Sequence, residues 1–170
     1  MVFWLLLLMA PRLALSNGEG TRHITGEGVD LYFMQDKLFG SVGGHPLWAI
    51  YRCGSEIRGE VDIGGTYHKL SFRYHREGDR IITGVFGSTP MALGKIEKRE
   101  QGFVYHVFVD GEEYGFSINY TRMENEHMVN SVIEGSLPNH KEITLTVDGH
   151  LCPFATTGII LIIAGSAALS

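Results

Sequence analysis

Between residues 29 and 148, apolar residues recur at every second position in short runs, and each run stops at Gly, Asn, Asp or Pro. A helical core needs apolar residues three and four apart, so this pattern calls for strands that each bury one face. In Ile57–Ile63, the residues Ile57, Gly59, Val61 and Ile63 share a side opposite Arg58, Glu60 and Asp62. Successive strand side chains point to opposite faces, which leaves one face dry and the other wet. Gly64-Gly65 then leads into Thr66–His75, where His68, Leu70, Phe72 and Tyr74 oppose Tyr67, Lys69, Ser71, Arg73 and His75. A two-glycine link supplies the backbone freedom of a tight hairpin.

The same alternation marks Arg80–Phe86, Met91–Ile96, Gly102–Val109, Glu113–Asn119 and Glu142–Val147, with Asp110-Gly111 as a hairpin turn. Arg122–His127 is charged and unpatterned, and is expected as a surface loop or a single helical turn. An echo recurs at Ile24-Thr-Gly, Ile57-Arg-Gly, Ile82-Thr-Gly and Ile133-Glu-Gly. A glycine in mid-strand permits bending and close approach. The expected fold is all-β: an antiparallel meander forming a small barrel or a two-layer sandwich, with an apolar C-terminal segment as a final strand, a packed helix or a membrane tail. An outer-membrane barrel fits poorly, because Arg58, Glu60, Asp62, Lys69 and Arg73 share one face and the runs are shorter than the roughly 9–11 residues of a spanning strand.

The ends differ from this middle. Val2–Ala10 is an apolar run followed by Ala14-Leu15-Ser16, a small-x-small pattern that fits a signal peptide over residues 1–16, although no Lys or Arg precedes the run. The chain is therefore expected to be secreted or periplasmic, with the antiparallel domain over 17–153. Residues 154–170 carry no charge but fall short of the roughly 20 residues of a spanning helix, and no basic residue follows them. They are read either as part of the domain or as a membrane tail.

With 44% hydrophobic and 19% charged residues, the chain has enough apolar content for a folded core. Its 14 Lys and Arg against 19 Asp and Glu form no basic tract, which argues against nucleic acid as a partner. Cys53 and Cys152 follow no metal-site spacing and are candidates for a disulfide in an oxidising compartment. Gly40-Ser-Val-Gly-Gly44 lacks the Lys-Ser/Thr of a phosphate loop and is expected as a hairpin turn.

No nucleophile elbow and no His-Glu-x-x-His motif occurs, and neither a metal nor a cofactor is expected. His68 and His106 are the candidate catalytic residues, each requiring a carboxylate within hydrogen-bond reach. The expectation for both is a core-facing histidine with a hydrogen-bond partner. Trp48, Phe72 and Tyr74 are candidates to line an apolar site in a small barrel. The leading reading is an exported, non-catalytic β-domain that binds a small apolar ligand or a protein partner. The alternatives are a membrane-associated structural or assembly protein held through residues 154–170, and a His/carboxylate hydrolase.

Overall fold

The computed structural model describes residues 20–52, 54–77, 80–124 and 127–169, without the side chains of 76, 77, 80, 122–124 and 127–129. These residues form twelve strands: β1 (Arg22–Gly26), β2 (Val29–Met34), β3 (Lys37–Val42), β4 (His45–Arg52), β5 (Glu56–Ile63), β6 (Thr66–Glu77), β7 (Arg80–Phe86), β8 (Thr89–Arg99), β9 (Gly102–Val109), β10 (Glu112–Glu124), β11 (His127–Ser136) and β12 (Glu142–Asp148). One helix, α1 (Pro153–Leu169), follows them. Each strand pairs antiparallel with its sequence neighbours, and β1 pairs with β12 so that Ile24 lies opposite Val147. The meander therefore closes into a barrel.

Alternation decides which side of the wall faces inward. Ile24, Leu31, Val61, Phe72, Val107 and Val147 are completely buried in the lumen, while Arg58, Lys69 and Arg73 are exposed outside. This polarity is the reverse of a barrel whose outer wall meets lipid. The echoing glycines lie where neighbouring strands crowd. At Gly84, a Cβ would meet the Ser71 carbonyl oxygen of β6 first and stand 2.7 Å from both Cα and Cδ1 of Phe72, so the close approach of the two strands requires glycine.

Helix α1 runs inside the barrel, with its residues from Ala155 to Ser166 buried. Its β-branched run Ile159–Ile163 also suits a strand, but in a closed barrel a further strand would find no ladder partners. A helix satisfies its own backbone hydrogen bonds and can lie in an apolar lumen. At about 1.5 Å rise per residue, it spans roughly 26 Å of that lumen. The Cys152 carbonyl accepts the Thr156 N–H at 3.0 Å and the Thr156 hydroxyl at 3.1 Å. Thr157 Oγ1 donates to the Pro153 carbonyl at 2.8 Å, so both buried hydroxyls have backbone acceptors. No helix among the described residues is long and apolar enough to cross a membrane.

The barrel, not the sandwich, is formed, and the C-terminal segment is a packed helix. The expected loop or helical turn over Arg122–His127 is corrected: β10 continues to Glu124 and β11 begins at His127. Beyond Asn119, β10 no longer pairs with β9, and the hairpin extends past the wall with register shifts around Arg122. The backbone ladder continues there through a charged run that has no apolar alternation.

Candidate functional site

In an up-and-down barrel, alternate turns lie at the same end. The β1–β2 turn at Glu27-Gly28, the β3–β4 turn at Gly43-Gly44 and the β11–β12 connection over residues 137–141 thus converge where α1 ends. Between them opens a mouth of about 680 Å³. Val29, Val42 and Ile143 supply apolar lining from the wall, Leu137 from the β11–β12 connection, and Ile163 and Ala167 from the helix. Glu27, His45, Asn139, Lys141, Glu142 and Ser166 add polar groups. Glu142 accepts a hydrogen bond from the Ser136 hydroxyl.

The mouth exists because α1 is off-centre. The helix approaches β7, β8 and β9 most closely. Two glycines seven residues apart, on the same face of the helix, let it approach the wall closely, Gly158 against β5 and Gly165 against β7. A Cβ at Gly158 would stand 3.4 Å from Ile57 Cγ1 and closer still to its Cδ1, and one at Gly165 would stand 2.6 Å from Phe86 Cγ. With the helix drawn to that wall, the β1–β3 and β12 side is left unfilled.

At the opposite end, a cavity of about 20 Å³, lined in part by Tyr105, Tyr120, Asn130, Ser131 and Thr156, is of single-water size. Burial pushes the Tyr105 phenol well above its ordinary value, with Tyr120 and Cys152 adding to the shift. The Tyr51 hydroxyl and Cys152 Sγ are 2.7 Å apart. Cys53 lies outside the described residues, and so does the Cys53–Cys152 pairing expected from sequence.

The sequence candidates are not brought together. His68 is half-buried at the lumen side of β6, beside Gly87. His106 departs from the expected core position: Tyr105 and Val107 on either side point into the lumen, which turns His106 outward. There its Nδ1 is 2.5 Å from Glu113 Oε1 on β10 and its Nε2 is 3.4 Å from Glu97 Oε1 on β8. A hydrogen bond from Lys95 holds the Glu97 carboxyl below its ordinary value, against a smaller opposing effect of desolvation. An imidazole and a carboxylate within reach can exchange a proton. Among the described residues, however, no Ser, Thr or Cys side chain bonds to His106, and the group lines neither cavity.

Phe72 is buried in the lumen, whereas Trp48 and Tyr74 are exposed. None of the three lines the mouth. Among the described residues, no group of three or more His, Cys, Asp or Glu is placed to hold a metal ion. The mouth residues carry no local motif. The signal that could have found them is topological, since closure of a twelve-strand meander gathers the turns after β1, β3 and β11 at one end. Comparison with protein-family models, with curated proteins and with solved structures finds no match to this chain.

Proposed function

We propose that this is an exported, non-catalytic binding protein that holds a small amphiphile in the mouth of its barrel. The observation that carries the reading is the mouth itself: about 680 Å³, with an apolar floor and charged groups around it. That volume falls in the range of roughly 300–1,000 Å³ typical of small-molecule sites, which combine apolar walls with a few polar groups that orient the ligand. An apolar body would lie against Val42, Leu137 and Ile163, with its polar head among His45, Lys141 and Glu142. The export part of the reading rests on residues 1–16, which lie outside the described residues.

The test is binding of an environment-sensitive amphiphilic dye, anilinonaphthalene sulfonate, and of medium-chain fatty acids to the folded protein. Ala167→Phe fills the mouth and is expected to weaken binding strongly, while Lys95→Gln on the outer wall leaves it unchanged. Equal binding by the Ala167→Phe variant, with its fold confirmed by circular dichroism, would place the ligand elsewhere and overturn the reading.

A further inference from the structure

The outer face of β4–β6 brings an arginine cluster together with exposed apolar side chains. Arg52, Arg58 and Arg73 converge on the single carboxylate of Glu56, at 3.2 Å, 2.8 Å and 3.8 Å. Arg52, Glu56 and Arg73 are direct cross-strand partners, and Arg58 is two residues along β5. The Glu56 side chain is only 14% exposed, whereas the three guanidinium side chains are 52% to 70% exposed. The carboxylate thus orients three cations whose remaining N–H donors face solvent, and no second carboxylate lies within ion-pair distance of them among the described residues.

Beside this cluster the wall is apolar. Ile50 lies directly across from Arg58, and Trp48 lies directly across from Phe39 on β3. All three are substantially exposed, Trp48 by half. The large hydrophobic side chains exposed among the described residues, Phe39, Trp48, Ile50, Tyr67, Tyr74 and Val85, all lie on β3–β7. At β4–β6 both sides of each paired stretch are occupied by neighbouring strands, so a partner there docks on the face rather than extending an edge. Exposed aromatics next to arginine are the composition of interface centres.

We propose that this face docks an acidic segment of a protein partner, with carboxylates on the Arg52, Arg58 and Arg73 forks and a neighbouring apolar side chain on Trp48 and Ile50. The guanidinium fork matches a carboxylate through two parallel hydrogen bonds. Charge complementarity selects a short segment over an extended polyanion. Glu60 and Asp62 continue β5 beyond Arg58, and the chain as a whole carries a net charge of -5. A phosphate backbone or an anionic membrane plane laid along the face would set its charge against both Glu60 and Asp62; a compact segment with its carboxylates on the arginine forks meets only Glu60, across from Trp48, where its own contact is apolar.

The experiment is fluorescence anisotropy of the full chain with a labelled peptide of six glutamates around a central Leu-Trp pair. Its comparators are heparin, oligothymidylate and vesicles of phosphatidylserine with phosphatidylcholine. The expected result is peptide binding that weakens with salt, that falls by about tenfold or more in the Arg58→Gln/Arg73→Gln double variant and that falls clearly in Trp48→Ala. Lys95→Gln, on a different part of the wall, retains binding. Absence of peptide binding, binding indifferent to the arginine pair, or tighter binding of heparin, oligothymidylate or vesicles than of the peptide would each overturn the proposal.

Discussion

Gly165 of the helix packs on the ring of Phe86 in β7, so closely that a Cβ there would lie 2.6 Å from Cγ. The contact fixes how far α1 leans toward one wall, and thereby how much of the lumen stays open at the mouth. Gly165→Val should push the helix toward Val29 and Val42. We expect a loss of about 1–3 kcal/mol in denaturant unfolding, the usual cost of overpacking, together with weaker dye binding. A stable Gly165→Val protein that binds dye normally would show that the glycine does not set the opening.

Leu161 and Trp48 provide a contrast between lumen and wall. Leu161 is completely buried in the middle of α1, whereas Trp48 is half exposed. Leu161→Ala is expected to cost about 2–5 kcal/mol by loss of apolar burial and creation of a cavity. Trp48→Ala should stay within about 0.5 kcal/mol of the parent, as surface substitutions usually do. Urea unfolding of the two variants tests this ordering, and a reversed order would contradict the placement of the helix in the lumen.

Tyr105 should make the protein sensitive to alkali. A tyrosine in the unfolded chain ionises near pH 10, and burial, with Tyr120 and Cys152 nearby, raises the folded value. Above about pH 10 the native state keeps a proton that the unfolded state has lost, so this stabilisation is complete below that pH and declines as pH rises past it. Tyr114, raised by its hydrogen bond to Glu112, and Tyr120, raised by burial, add to the same slope. Tyr105→Phe is expected to flatten the fall in melting temperature between neutral and strongly alkaline pH. An unchanged slope would mean that the phenol is not excluded from water.

Gly84 tests the crowding inside the wall. Its missing Cβ leaves room for the Ser71 carbonyl oxygen and for Phe72 on the adjacent strand, of which only the Phe72 ring can be trimmed by substitution. Gly84→Ala should destabilise by about 1–3 kcal/mol through overpacking. The double variant Gly84→Ala/Phe72→Leu should recover part of that loss, because the two changes share one space. Strict additivity in thermal unfolding would count against direct crowding.

Much of the wall was legible before the tertiary structure. Arg80–Phe86 and Gly102–Val109 match β7 and β9 residue for residue, because each has an alternating apolar face and ends at turn residues. β10 and β11 reach into Arg122–His127 without the alternating apolar residues that mark the rest of the wall, so this charged run reads as a loop in the sequence. His106 was expected inside because Val104 and Phe108 share its side. Those neighbours cover the outer surface, while Tyr105 and Val107 fill the lumen. The mouth and the arginine cluster carry no contiguous motif: Gly28, Gly43 and Leu137 in one, and Arg52, Glu56 and Arg73 in the other, meet only through strand pairing.

The local grammar can be read directly along the chain: which residues alternate, where the chain turns, and that one face of each hairpin is dry. Those properties depend on residues within a few positions of one another. That β1 meets β12, that alternate turns gather into a mouth, and that Pro153–Leu169 is a helix within the lumen emerge only in the folded barrel. Closure depends on the summed twist and register of all twelve strands. Once the wall has closed, an apolar segment inside it must satisfy its own backbone hydrogen bonds, and a helix does so.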